Sequence, residues 1–231
     1  MKQVSPSELY TKAPTQLEIV EHFWNGLPSG FTGAGSVETS GRGGILALTT
    51  STTDNNASSL TPDTKFAVLA AGKPIHFGCR LQFAEANTNT ANVFVGLFSG
   101  SVAAAMGSDG AGPPADYSGF CFFKADGSTL WSVEGSVSTS QTTLELTAQA
   151  SLDSLAKTAG SASYQHLEIE VLPKTTTKAD VIFTIDGIVV AKFTDFTYTS
   201  IASMAPVVLV RTGGTVAESV LIDLYQFVQT L

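Results

Sequence analysis

Along Ile75-His-Phe-Gly-Cys-Arg-Leu-Gln-Phe83, every odd position (Ile75, Phe77, Cys79, Leu81, Phe83) is apolar. Every even position (His76, Gly78, Arg80, Gln82) is polar or lacks a side chain. Side chains alternate faces along a strand with a period of two, so this segment offers one face to a core and the other to water. The rhythm returns at His166-Leu-Glu-Ile-Glu-Val171, with Leu167, Ile169 and Val171 on one face and His166, Glu168 and Glu170 on the other. Strands wet on one side belong to antiparallel sheets packed face to face, which predicts an all-β sandwich.

Residues 181–185 and 188–193 flank Asp186-Gly187, the chemistry of a two-residue type I′ hairpin turn. Further strands are predicted over 19–24, around Val37, and over 45–49, 65–70, 92–98, 119–124, 129–134, 142–147, 206–211 and 220–228. No repeat of fixed period joins them, and a two-sheet antiparallel jelly roll is the natural architecture. Residues 50–59 read as a polar loop, and 151–158 as a short helix with Leu152 and Leu155 on one face. Residues 99–118 form a long loop carrying Val102-Ala-Ala-Ala-Met106 and Gly112-Pro-Pro-Ala115. Loops of that length usually bind something or pack on something. Residues 1–17 stand outside the strand pattern. Ser5-Pro-Ser-Glu8 is a capping box with proline at the first helical position, predicting one or two turns through Leu9 and Tyr10. The chain thus divides into an N-terminal arm over 1–17 and a sandwich over 18–231.

Only 14% of the 231 residues are charged, against about 25% in ordinary soluble domains. A surface of Ser, Thr, Gly, Ala and Asn loses little solvation when another protein covers it. The net charge of −8 argues against a nucleic-acid partner, whose affinity comes mainly from Lys and Arg on phosphates. The N-terminal residues lack the apolar core of a signal peptide, and no apolar run approaches the roughly 20 residues that cross a bilayer. A soluble protein made in a cytoplasm, without a membrane partner, is expected. Cys79 and Cys121 fall in predicted strands and are expected as buried free thiols.

Reactive constellations are missing from the pattern. Glycosidases set two carboxylates roughly 5–10 Å apart across a cleft. Glu168 and Glu170 share a strand face, yet they alternate with Leu167, Ile169 and Val171 and read as a solvated outer surface. His22, His76 and His166 share no short metal-ligand spacing. Asp54, Asp109 and Asp116 read as ordinary loop acids. An exposed tryptophan on a sandwich would make a sugar-stacking platform, but core packing is the expectation for Trp24 and Trp131 alike. No catalytic group, metal or cofactor is expected, and the chain reads as something other than an enzyme.

Residues 19–229 resemble the concanavalin A-like (laminin G-like) jelly-roll modules of tailed-phage virion proteins. The matching segments are Glu21-His-Phe-Trp24 before Leu-Pro-Ser-Gly-Phe31, Ala71-Gly-Lys-Pro-Ile-His-Phe77, and Asn92-Val-Phe-Val-Gly-Leu-Phe98. Gly119-Phe-Cys-Phe-Phe-Lys-Ala-Asp-Gly127, Ile185-Asp-Gly-Ile-Val-Val-Ala191 and Val220-Leu-Ile-Asp-Leu-Tyr225 complete the set. The resemblance implies a capsid decoration or cement protein, made in the host cytoplasm and residing on the virion surface. Its partners would be the major capsid protein and further copies of itself in a homotrimer. Val4, Leu9, Tyr10 and Leu17 in the arm, with Val102 and Met106 in the long loop, are the expected contacts. The alternative is a lectin-like module that binds glycan for virion adsorption. The E-x-D-x-x-E strand of the related glucanases and the paired metal loop of the related lectins have no counterpart here.

Overall fold

Alternation leaves each strand with one face that must be covered, and the structure covers it by stacking two antiparallel sheets. The computed structural model describes all residues except 1–15, 25, 34–35, 39–43, 87–88, 161 and 199–202, with the side chains of 36–38 also outside it. The described residues form β1 (Gln16–Glu21), β2 (Phe31–Gly33), β3 (Ser36–Glu38), β4 (Ile45–Thr49), β5 (Ala57–Pro62), β6 (Ile75–Ala84), β7 (Ala91–Phe98) and β8 (Gly119–Lys124). They continue through β9 (Ser132–Val137), β10 (Ser140–Glu145), β11 (Gln165–Pro173), β12 (Lys178–Ile185), β13 (Ile188–Thr197), β14 (Ala205–Thr212) and β15 (Ser219–Thr230). The eight-stranded sheet runs β13-β12-β11-β6-β15-β4-β3, with β1 also paired to β15. The seven-stranded sheet runs β10-β9-β8-β7-β14-β5-β2. The expected all-β jelly-roll sandwich is what forms.

The strand with the clearest alternation, β6, lies within the larger sheet between β11 and β15. Its odd side chains are buried, while Arg80 is exposed and His76 and Gln82 are half-buried. On β15 the register slips between Ile222 and Leu224, one extra residue that lets Val220 and Ile222 and then Tyr225 and Phe227 all face inward. Across the interlayer space Phe122 meets Phe183 edge to face, centroids 5.4 Å apart at 89°. Fully burying each such side chain is worth roughly 1.5–3 kcal/mol, and this core holds dozens of them. Trp131 belongs to it, its indole N–H donating to Gln165 Oε1 at 3.0 Å. Asp186 and Gly187 take φ of 51° and 78°, the left-handed pair of the predicted type I′ turn.

Several expectations shift. Residues 151–158 turn without forming a helix, because neighbouring segments take their backbone groups. Leu152 N–H donates to Val190 O, Lys157 N–H to Leu146 O, and Lys157 O accepts from Trp131 N–H. Leu152 and Leu155 are consequently exposed. Residues 65–70 make isolated bridges in place of a strand: Phe66 and Ala67 N–H both donate to Met204 O, and the Gln229 side chain satisfies the backbone of Val68. The polar stretch 50–59 gives way to β5 from Ala57. Leu17, expected in the arm, sits in β1 opposite Gln229 and packs on the main core. Val4, Leu9, Tyr10 and the predicted arm helix lie outside the described residues.

The two sheets differ in how they are covered. β7 carries almost no polar position, and all eight of its residues are buried. Val93, Val95 and Leu97 face the interlayer core, whereas Phe94 and Phe98 face away from it. Residues 99–118 fold back over this outer face. They place Ala105, Met106 and Tyr117 on Phe94, Phe98, Phe123, Val207 and Leu209, which makes a second apolar core. Met106, expected to touch a partner, is 1% exposed and spends its side chain on this roof. Val102, in a short 3-10 turn, remains half-buried. The two cysteines are free and buried, Cys79 in the interlayer core and Cys121 under the roof.

One carboxylate is sealed beneath the roof. Glu134 is 3% exposed. Its Oε1 accepts from Tyr117 Oη and Gln141 Nε2, both at 2.9 Å, and its Oε2 accepts from Thr143 Oγ1 at 2.5 Å. Burial pushes its pKa above the ordinary 4.5, against the opposing pull of the three donors. The folded state therefore holds this proton more tightly than the unfolded one. The resulting stability is fully present below pH 4.5 and is lost as pH rises through the raised folded value. Glu134→Gln should remove that dependence. Urea midpoints of the two proteins, compared from pH 4.5 to 7, should converge or cross in favour of the variant as pH rises; parallel curves would contradict the assignment.

Gly96 supplies a second test. A Cβ there would lie 2.3 Å from Phe120 O and 2.5 Å from Cys121 Cβ, whereas one on Gly187 meets nothing within 4 Å. Gly96→Ala should cost roughly 3 kcal/mol or more by overpacking. Gly187→Ala should cost only about 1–2 kcal/mol, for its left-handed backbone. Denaturant titration of both variants checks the order.

Candidate binding site

After β1 the chain must leave the larger sheet and reach β2 in the smaller one, and residues 22–24 and 26–30 lie on that crossing. Phe23 is buried at 1% exposure yet holds φ of 54°, a left-handed conformation that costs a bulky residue roughly 1–3 kcal/mol. Its ring in the core anchors the crossing, and the strained backbone turns the next side chain outward. Trp24 is 71% exposed. Burying a large apolar side chain is worth roughly 1.5–3 kcal/mol, so an indole held in water by local strain marks a surface built for contact. Gly44 approaches the crossing closely from beneath. A Cβ on Gly44, whose φ is +79°, would fall 2.2 Å from His22 O and 3.5 Å from the Trp24 ring.

A cleft of about 470 Å³ opens beside the indole. Glu21, His22 and Ser29 supply polar groups, and Leu27 and Pro28 supply apolar wall. Of the two tryptophans expected in the core, Trp131 is there and Trp24 is not. The signal that separates them is the Asn25-Gly26 breaker directly after Trp24, which ends the strand before alternation can assign the ring a face.

On the other side of residues 26–33 lies a second pocket, of about 320 Å³. Thr32, Ser59, Thr61, Asp63, Lys65 and Ser101 bring hydroxyl, carboxylate and ammonium groups to it. Phe98 and Val102 form its apolar side, so Val102 is the one expected contact residue that reaches a described pocket. Thr32 Oγ1 donates to Asp63 Oδ1 at 2.5 Å, Lys65 Nζ donates to Ser99 O, and Asp63 N–H donates to Gly30 O at 2.8 Å. Asp63 and Lys65 sit in no sequence motif; the fold alone brings them beside Ser101 and Thr32.

The outer face of the larger sheet brings two of the histidines together. The β6–β11 register sets Glu168 opposite Gly78, with His76 and His166 to either side. His76 Nε2 lies 3.8 Å from Glu168 Oε1, and His166 Nδ1 lies 3.9 Å from Glu168 Oε2. Among the described residues, no three His, Cys, Asp or Glu side chains are arranged to hold a metal ion. Glu170 is exposed on the same face, solvated as its alternation suggested.

Neither a family model nor any curated protein matches the sequence. Solved structures do match, at low identity and over nearly the whole chain. The carbohydrate recognition domain of Emp47p aligns with a TM-score of 0.63 and 14% identity, covering 95% of this chain and 97% of that one. An endo-1,3-beta-glucanase from Streptomyces sioyaensis gives 0.60 and 10%, over 94% and 98%. A legume lectin-like domain from Entamoeba histolytica gives 0.52 and 14%, over 85% and 87%. Binding domains and glycan-degrading enzymes therefore share this architecture. The order of its sheets and the breadth of these alignments make the fold that of the concanavalin A-like, legume lectin-like jelly roll.

Proposed function

We propose that the protein is a non-catalytic glycan-binding module whose saccharide stacks on Trp24. The observation that carries this reading is the exposed indole, held over a cleft by a strained and buried Phe23. A pyranose ring offers a C–H face to such a surface, while Glu21, His22 and Ser29 at the rim supply acceptors and donors for its hydroxyls. The likeness to carbohydrate recognition and lectin-like domains supports the same class of ligand. Glycoside hydrolysis by the usual route needs two carboxyl groups flanking one bond. Here Glu21 is the carboxylate lining the cleft, Asp63 lies across residues 26–33 from it, and Glu134 is sealed under the roof. That distribution favours holding a sugar over cleaving one.

A second reading, decoration of a capsid surface through the major capsid protein and a homotrimer, draws on a different feature. Leu152, Leu155, Ile188 and Val189 are exposed apolar side chains, and Leu152 is tied to β13, an edge strand, through Val190 O. Low charge and such exposure suit a covered surface. The two roles are compatible, since a protein seated on a particle can present a glycan site outward.

On a glycan array, the wild type should show saturable binding to at least one glycan. Trp24→Ala should weaken it about tenfold or more, a loss on the scale of one aromatic contact. Its free energy of unfolding should stay within about 0.5 kcal/mol of the wild type, because the ring is exposed. Equal binding by the variant would remove Trp24 from the site. An array silent throughout would overturn the reading itself.

A further inference from the structure

Resting on the glycan reading, we infer that the ligand is a neutral oligosaccharide that crosses residues 26–33 and is held on both sides of that strap. Trp24 receives one end and the Asp63–Lys65 pocket the other. Three observations point there together.

The first is continuity. Ser29 lines the Trp24 cleft and Thr32 lines the second pocket, three residues apart, so at most about 11 Å of chain separates them. The second is that the path between them is tied down at Gly30 and bare at that residue. Asp63 N–H to Gly30 O at 2.8 Å ties the strap to the second pocket, and Phe31 N–H to Pro28 O at 3.3 Å closes a turn within it. Yet a Cβ on Gly30 would meet nothing within 4 Å, and φ of +83° keeps the position suited to glycine. At Gly30, the crest between Ser29 and Thr32, no described side chain therefore stands in a ligand's way.

The third is the chemistry of the second pocket. Hydroxyls from Thr32, Thr61 and Ser101 stand with a carboxylate and an ammonium group in a space of about 320 Å³. Asp63 has bonded one donor and Lys65 one acceptor. A carboxylate offers about four lone-pair sites and an ammonium three hydrogens, so both keep capacity for ligand hydroxyls. The adjacent positive and negative groups suit neutral polyols, and the chain's net charge of −8 disfavours a polyanion.

The test measures affinity by calorimetry for length ladders, from mono- to octasaccharide, of neutral glucose, mannose and xylose oligomers. A two-sided site converts engagement of the second pocket into an intramolecular step, so affinity in a bound ladder should rise roughly tenfold or more once the oligomer spans the strap. Asp63→Ala should abolish that rise, so that long oligomers bind no more tightly than short ones. Lys65→Ala, a second exposed position, should act in the same sense if Asp63→Ala disturbs the strap. Trp24→Ala should weaken short and long oligomers alike. Binding that is flat with length, or a length-dependent gain indifferent to both pocket variants, would overturn the two-sided site while leaving the Trp24 site standing. Absence of binding in every ladder would overturn both for neutral glycans.

Discussion

Apolar contact on both faces of the seven-stranded sheet is the constraint around which the rest is arranged. The inner face of β7, β8 and β14 meets the larger sheet, and the outer face meets residues 99–118. A sheet closed on both sides cannot present a broad open groove where the roof lies. At the margin of this closure, the crossing from β1 to β2 and the start of the roof leave room for two of the molecule's pockets. Glu134 shows the same effect from within: a carboxylate that could have faced a ligand is enclosed by Tyr117, Gln141 and Thr143.

Strain and anchorage share the work at that margin. Phe23 takes a backbone conformation that costs free energy, and its buried ring offsets the cost. The outward Trp24 is the residue of that exchange. Gly44 passes close to His22, and the Asp63–Gly30 hydrogen bond ties down the far end of the crossing. A preorganised surface loses less conformational entropy on association, which matters for ligands as flexible as saccharides.

Much of the scaffold was legible from residue order. The alternation in 75–83 and 166–171 placed β6 and β11 with the right faces inward, and Asp186-Gly187 named its own turn. The run 93–98, which has no polar position, announces coverage on both faces as well as a strand. The partner for that second face came from a loop too distant in sequence for periodicity to connect. Residues 65–70 and 151–158 misled for one reason: their local propensities were overridden by hydrogen bonds to Met204, Gln229, Leu146 and Val190. The candidate site was the least legible part. Trp24 and Asp63 are brought to one margin by the sheets that flank them, and no spacing rule relates positions set by a fold.

The separate housing of Cys79 and Cys121 gives the molecule two internal clocks. One thiol lies between the layers and the other between a sheet and its roof. Desolvation keeps both as neutral, poorly nucleophilic thiols, so each waits for its own compartment to open before a reagent can reach it. Lifting the roof alone would release Cys121 while the layers stay shut, and parting the layers would release Cys79. The order in which the two alkylate would thus report, residue by residue, which of the two seams in this sandwich yields first.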